Sequence, residues 1–437
     1  MEWYLVLLIM MSLLFLLFLS GLPVAFAFIV LNFAAISLWM GGTRGFIIVV
    51  KSAFQMLNTF TLTPIPLFII MGTIIFHSGA AGVVIDALDR WIGHIPGRLS
   101  VSAVAVGTVF AAVSGVPMGT TAMLGSLFVP EMRRRGYSKT MSLGPILGGG
   151  GLALIIPPSA MAVLLGGIAE VSIGHLLIAC ILPGLVLASL YIIYILFQSI
   201  RHPDSAPKYA GRQFSLKEGI ISLRYILPLA GIMFLVTGII FLGVATPTEA
   251  AAAGALGAFG LVATYRKLSW SAFKKTLTSS VQVTVMVMMI IIGSVAFCHV
   301  LAYTGCTHGL ARFAAGLTLP PIFVVIAMQA VVMVLGCFMD LISLTMITIP
   351  IFMPVVNTLG LNPVWFCTMM LINLGAATLT PPFGMLLFTM KGVAPADVNM
   401  SEIILASFPY FIMNLVVIGL VLVFPSLALF LPSQMGG

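Results

Sequence analysis

Apolar residues run through this chain in long stretches separated by short polar turns. They cover about 3–20, 23–40, 64–85, 99–130, 141–169, 172–199, 224–245, 248–265, 280–301, 320–356, 364–390 and 403–430. A helix needs about 20 apolar residues to cross a bilayer. In lipid the backbone must also satisfy its own hydrogen bonds, so the pattern predicts an all-α polytopic membrane protein. Several stretches exceed one span and are interrupted by Gly and Pro near the middle. Of these, 99–130 and 320–356 read as re-entrant helical hairpins, and 141–169 and 364–390 as broken helices. Residues 46–60 form a shorter amphipathic piece suited to the membrane interface. Stretch 3–20 follows Glu2 rather than a basic segment and precedes no A-x-A site, which predicts a retained helix rather than a cleaved signal.

Composition narrows the class further. Of 437 residues 61% are hydrophobic and 7% charged, against about 25% charged in soluble domains. Soluble enzymes, disulfide scaffolds and nucleic-acid binders are excluded. The net charge of +8 matters through its placement. With two hairpins that enter and leave on one side, Arg90, Arg98, Arg133–Arg135 and Lys139 share a side with Arg201, Lys208, Arg212, Lys217 and Arg224. Arg266, Lys267, Lys274, Lys275 and Lys391 join them, and Arg312 is left opposite. The positive-inside rule makes the crowded side cytoplasmic. Cys180, Cys298, Cys306, Cys337 and Cys367 stand in apolar segments without a C-x-x-C and read as packing residues.

An internal repeat accounts for the interruptions. Pro130 matches Pro354, Gly136 matches Gly360, and Gly151 matches Gly375. Ala153 matches Ala377, Pro157-Pro158 matches Pro381-Pro382, Met161 matches Met385, and Thr121 matches Thr345. Every pair is 224 positions apart, as 157 and 381 are. The hairpins open to opposite sides in this topology, so the repeats are inverted. Inverted repeats with interrupted helices mark secondary transporters. A break frees backbone carbonyls and amides inside the bilayer, each costing several kcal/mol if unsatisfied, so an ion or polar substrate is expected to take them up.

Polar groups gather at four places. One is the tip Ser114-Gly115-Val116-Pro117-Met118-Gly119-Thr120-Thr121. The next is the break Gly148–Gly151 with Pro157-Pro158-Ser159. The third is the tip Asp340 to Thr345, and the last is the break Asn373 to Pro382 with Gly375, Thr378 and Thr380. Oxygen ligands without Cys or His clusters suit Na⁺ or H⁺ rather than a transition metal. Asp340 reads two ways, as an ion-coupling or gating carboxylate and as the N-cap of helix 341–356. Glu249 after Thr246-Pro247-Thr248 reads as a helix start or as a partner contact. Gly254 and Gly257 favour close helix packing. His77, His175, His299 and His308 lie near span ends and form no relay pattern. No nucleophile, metalloprotease or nucleotide-binding motif is present. An ion channel is a competing reading, but channels commonly build one filter by subunit symmetry, whereas here the breaks pair within one chain.

These residues resemble the large membrane subunit of tripartite ATP-independent periplasmic (TRAP) transporters. The resemblance covers nearly the whole chain. It rests on Ile65-Pro66-Leu67-Phe68 with Met71-Gly72, on Val129 to Tyr137, on Gly151 to Ser159, on Thr246 to Ala255, on Gly336 to Asp340, and on Leu379 to Gly384 with Leu387-Phe388. It implies an elevator-type secondary transporter that couples Na⁺ to uptake of an organic anion. That anion is a carboxylate such as a C4-dicarboxylate, keto acid or sialic acid. Carried over, Ser114, Gly115 and Thr121 with Gly150 and Gly151 form one Na⁺ site. Asp340 and Thr345 with Gly375, Thr378 and Thr380 form the other. Pro157, Pro158 and Ser159, and Pro381 and Pro382, hold the breaks open toward substrate. The first tip lacks the Ser-Gly-Ser-Ser pattern the family usually carries.

The resemblance further implies no enzyme activity and no cofactor beyond Na⁺ as coupling ion. It implies a separate small four-helix membrane subunit, a periplasmic substrate-binding protein, and a multi-pass location in the bacterial inner membrane, with no nucleic-acid partner. The expected division is N-terminal scaffold helices over 1–63, a first repeat over 64–200, a cytoplasmic loop with scaffold helices over 201–279, and a second repeat over 280–430. Proton coupling and an anion channel are the alternatives.

Overall fold

The computed structural model describes residues 2–80, 87, 95–114, 116–207, 216–316, 319–382 and 384–435. Arg90, Gly115, Lys208, Arg212 and Phe383, weighed above, lie outside them, as do the side chains of Ser114 and Lys217. Every regular element among the described residues is a helix. The first seven are α1 (Trp3–Leu19), α2 (Val24–Trp39), α3 (Thr43–Leu57), α4 (Pro64–His77), α5 (Arg98–Ser114), α6 (Pro117–Arg134) and α7 (Lys139–Gly151). Then come α8 (Ala160–Ile168), α9 (Ile173–Ala179), α10 (Ile181–Arg201), α11 (Leu216–Phe241), α12 (Pro247–Thr264), α13 (Trp270–Tyr303) and α14 (Cys306–Gly316). The last six are α15 (Pro321–Gly336), α16 (Leu341–Thr358), α17 (Pro363–Ala377), α18 (Met385–Val393), α19 (Met400–Val423) and α20 (Ser426–Ser433).

The expected hairpins and breaks are present. α5 and α6 pack together, as do α15 and α16 across 337–340. Stretch 141–169 separates into α7, a 3₁₀ turn at Leu152–Leu154, and α8. Stretch 364–390 separates into α17 and α18, and the Pro157-Pro158 and Pro381-Pro382 bonds are both cis. These divisions explain a difference from the hydropathy pattern. Among the described residues five segments are long and apolar enough to cross a membrane alone: Phe60–His77, Ile173–Arg201, Trp270–Tyr303, Leu341–Thr358 and Met400–Val423. The broken helices yield pieces too short to qualify singly.

Element ends moved where caps outrank hydropathy. α13 begins ten residues before the apolar stretch because Ser269 Oγ accepts from Ala272 N at 3.1 Å. Its first turns, with Lys274 and Lys275, are too polar to register as a span. Stretch 403–430 splits at Phe424-Pro425 into α19 and α20. The amphipathic piece is α3, whose buried stripe Gly45, Val49 and Ala53 repeats every fourth residue and whose element packs against α13. α1 buries Val6, Met10 and Leu14 on one face, and the Trp3 ring covers Gly309 of α14.

Small residues set the closest helix contacts. α4 packs between α12 and α13. A Cβ on Gly254 would reach Met71 of α4 and Val236 of α11 at 2.8 and 2.7 Å, and one on Gly257 would meet Ile232, as the glycine spacing predicts. Asn32 of α2 donates to Gly293 O of α13 at 2.7 Å beside Phe28, which fills the glycine notch. Glu249 acts in a capping box with Thr246, which settles its local role as the start of α12.

A close backbone approach joins α5 to α7. A Cβ on Gly107 would stand 2.9 Å from Cα of Gly149, and that atom is backbone, so it cannot swing aside. Gly107→Val is therefore expected to destabilise the protein by about 1–3 kcal/mol through overpacking. A lowered thermal unfolding midpoint in detergent checks this, and an unchanged midpoint would show that the helices can part there freely.

Candidate functional site

The Gly148–Gly151 run ends α7, and each glycine faces a different neighbour. Gly148 lies under the rings of Tyr410 and Tyr191, and Gly149 against the α5 backbone. Gly150 lies against Thr121 of α6, whose hydroxyl occupies the place where a Cβ on Gly150 would stand. Gly151 points to Leu386 of α18. A helix rotates by about 100° per residue, so four successive glycines let four elements approach at once. The first pair of expected ligands, Thr121 and Gly150, is thus brought together. Gly151 instead turns toward the second repeat.

Thr121 is fully buried, and its Oγ1 has no hydrogen-bond partner. An orphaned hydroxyl of this kind costs about 1–3 kcal/mol. Its counterpart Thr345 donates to Leu341 O at 2.8 Å. The hydroxyl at the first tip is therefore free to face a ligand, while the second keeps only its lone pairs. Ser159 caps α8 by accepting from Ala162 N at 3.3 Å and donates to Leu154 O at 2.8 Å.

The second break presents carbonyls. Thr378 Oγ1 donates to Gly375 O at 2.7 Å, and Thr380 Oγ1 to Ala376 O at 2.9 Å. The Thr378 and Thr380 carbonyl oxygens converge on Gly384, each 2.8 Å from where its Cβ would stand. Only glycine leaves that space open. The tip beside it is held by close contact of Gly336 with Ala377, and by Asn373 Nδ2, which donates to Gln329 O at 2.7 Å and to Gln329 Oε1 at 2.8 Å. Asp340 is the N-cap of α16. Its Oδ2 accepts from Ile342 N at 3.1 Å and Ser343 N at 3.0 Å, and its Oδ1 accepts from the Ser343 hydroxyl. The capping reading of Asp340 thus holds in the structure.

The two breaks meet each other. A Cβ on Gly375 would lie 3.8 Å from Gly151 O and 3.6 Å from Asn414 Oδ1 of α19. The matched glycines thus lie close together where the two breaks meet. One arm of each hairpin also packs on the other repeat. α6 packs on α18 through Gly125 against Val393 and Met390, and α16 packs on α8. The sequence reading expected this helix within 403–430 but singled out no residue of α19, whose Ser407, Tyr410 and Asn414 are buried on one face. Their spacing of three and four along an apolar helix was the available signal.

At the basic end, Arg133 donates two hydrogen bonds of 2.6 Å to Asp397, just beyond α18. Lys139 pairs with Glu402 at 2.8 Å. The contact at Gly125 and this bridge succeed each other in the same order along α6 and along the segment from α18 to Asp397, so the two segments run in the same direction. Lys391 is committed to Val398 O, and Arg312 is exposed on α14. Neither cation stands at a tip. The Arg133 guanidinium holds the Asp397 carboxyl below its ordinary value of 3.8. A depressed acid contributes stability in full above 3.8 and loses it as pH falls through the folded-state value. Asp397→Asn is expected to lower the thermal midpoint at neutral pH, with the gap to the parent closing on acidification. A gap that stays constant with pH would show that the ion pair contributes nothing.

A cavity of about 1030 Å³ lies elsewhere, between the 56–64 connection, the α8–α9 turn with Glu170, and the α11–α12 turn with Glu249. No tip or break residue lines it.

Residues 11–427 match the family model of the tripartite ATP-independent periplasmic transporter, DctM component. The C4-dicarboxylate TRAP transporter large permease protein DctM of Pseudomonas aeruginosa is 32% identical over 386 residues, 88% of each chain. The sialic acid TRAP transporter large permease protein SiaM of Vibrio cholerae is 28% identical and covers 95% of each chain. Among solved structures the Alcanivorax borkumensis YdaH transporter aligns with a TM-score of 0.62 at 13% identity, covering 90% of this chain and 89% of that one. That likeness shows a shared fold. Paired hairpins, paired breaks and a family match across nearly the whole length lead to one conclusion: this chain belongs to the DctM family, as the large permease component of a TRAP transporter, a multi-pass protein of the bacterial inner membrane and not an enzyme.

Proposed function

We propose that this permease couples Na⁺ entry to uptake of an organic anion by an elevator movement. The observation that carries the proposal is a pair of oxygen clusters at the tip–break contacts. One is the unpartnered Thr121 hydroxyl against Gly150, and the other is the convergence of Thr378 and Thr380 carbonyls at Gly384. Hard oxygen donors without thiolate or imidazole suit Na⁺. Ser114, Gly115 and Gly151 at the first site complete the proposed ligand set. Asp340, Thr345 and Gly375 complete the second, where Asp340 supplies charge while capping α16.

The anion is placed between the tips. α8 and α16 are capped by Ser159 and Asp340, whereas α6 and α18 begin without a side-chain cap. The two segments run in the same direction, and each helix starts eight positions, about 12 Å, from the Gly125–Val393 contact. The N-terminus of α6 favours negative charge, whereas at α18 the Leu386 N–H already donates to Thr378 O at 3.2 Å. The names of the relatives, a C4-dicarboxylate permease and a sialic acid permease, support a carboxylate. A separate small four-helix membrane subunit and a periplasmic binding protein that selects the ligand complete the proposed assembly.

The proposed moving unit comprises the repeats 64–200 and 280–430, against scaffold segments 1–63 and 201–279. The 1030 Å³ cavity supports this division, because residues 56–61 and 240–252 face 166–174 across it. The test is reconstitution with the small subunit and binding protein, followed by uptake of labelled carboxylates under an inward Na⁺ gradient. Saturable uptake lost in choline is expected. Equal uptake in choline driven by a pH gradient would replace Na⁺ by H⁺, and non-saturating flux would mark a channel.

A further inference from the structure

α19 joins the two breaks through one face. Ser407 Oγ lies 3.2 Å from Leu379 O, a carbonyl of the second break, while also bonding Ile404 O within its own helix. The Tyr410 ring fills the notches at Gly144 and Gly148 of α7, leading into the first break. Asn414, 3% exposed, stands where the breaks meet. Its Nδ2 donates to Tyr410 O at 2.8 Å and to Tyr191 OH of α10 at 2.7 Å. A backbone carbonyl only accepts, so the amide orientation is fixed by chemistry. Oδ1 is left beside Gly375, 3.6 Å from where a Cβ on that glycine would stand, and Gly151 O lies 3.8 Å from the same point.

A buried amide on an apolar helix is costly unless its groups are used. From this arrangement we infer that Asn414 is a positioning residue that couples the two ion sites, so that filling one raises the affinity of the other. The inference rests on the two-site sodium reading above. Gly375 O accepts from Thr378, a proposed ligand of the second site, and Gly151 directly follows Gly150 of the first. A shift of the α17 end on ion binding therefore bears on the α7 end where the breaks meet. Asn414, anchored to α10 through Tyr191, holds the two in register.

The test is a Na⁺ titration, at constant ionic strength with choline, of thermal unfolding and of uptake by the permease with its small subunit. The variants are Asn414→Leu, which keeps the volume and removes the amide, and Tyr191→Phe, which removes only the anchoring hydroxyl. The parent is expected to give a sigmoidal curve with a Hill coefficient of about 2, and Asn414→Leu a coefficient of about 1 with half-saturation raised about tenfold. Tyr191→Phe is expected to shift in the same direction and decides alone if Asn414→Leu fails to fold. A merely structural role would lower the midpoint in choline and leave the Hill coefficient unchanged. Parental Na⁺ curves in the variants that fold overturn the coupling. A parent with no Na⁺ response overturns the two-site reading itself and the coupling with it, so the two failures are distinct.

Discussion

Asp340→Asn is expected to abolish sodium-driven uptake while leaving the permease as stable in choline as the parent. Asparagine caps a helix about as well as aspartate, so the bonds to Ile342 and Ser343 N–H survive the change. What disappears is the negative charge. Losing a charged partner at a cation site costs about 1.5–3 kcal/mol, which weakens Na⁺ binding there by about ten- to hundredfold. Asp340→Ala removes the cap as well and is expected to cost about a further 1 kcal/mol of stability. Uptake under a Na⁺ gradient, read beside thermal unfolding in choline, separates the two roles. Parental uptake by Asp340→Asn would leave this carboxylate as a helix cap alone.

The second large effect belongs to Gly150. Alanine there would drive its Cβ into the Thr121 hydroxyl, inside a tip–break contact with no slack. Gly150→Ala is expected to lose about 1–3 kcal/mol of stability and all sodium-dependent uptake. Thr121→Ala alone relieves an orphaned hydroxyl, so it is expected to be near neutral for stability in choline yet weaken Na⁺ binding by about fivefold, the equivalent of about 1 kcal/mol. The double variant restores space without restoring the ligand. Its stability in choline is expected to recover much of the loss, while the Na⁺ response stays absent. Such non-additivity is diagnostic of direct contact. Additive stability losses would show that the two residues do not meet.

The hairpins and breaks were legible because Gly and Pro interrupt apolar runs at matched positions, and a constant offset between such residues needs no structure to detect. Thr121 and Gly150 could be grouped for the same reason. The partners of the individual glycines could not. Gly148, Gly149, Gly150 and Gly151 look alike in sequence, yet they face an aromatic pair, a backbone, a hydroxyl and the opposite repeat. Which neighbour each meets depends on helix rotation and, for Gly148 and Gly151, on elements more than 200 residues away. Asn414 escaped notice because a single amide in an apolar helix carries no repeat signature, and its partner Tyr191 lies 223 positions away. The open side of Gly384 was equally hidden, since convergence of the Thr378 and Thr380 carbonyls is a property of backbone geometry. Charge placement put Arg133 on the basic side, but its bridge to Asp397 ties together segments that only the fold brings near.

Thermal unfolding of the permease with its small subunit, in Na⁺ against choline at equal ionic strength, tests the sodium sites without requiring the substrate. An ion that binds only the folded state stabilises it by about 2.7 kcal/mol at one hundred times its Kd. The expected result is a Na⁺-specific rise in midpoint that shrinks in Asp340→Asn and in Thr121→Ala. Equal midpoints in the two salts, for a permease that still transports in proteoliposomes, would contradict sodium binding at the tips and breaks.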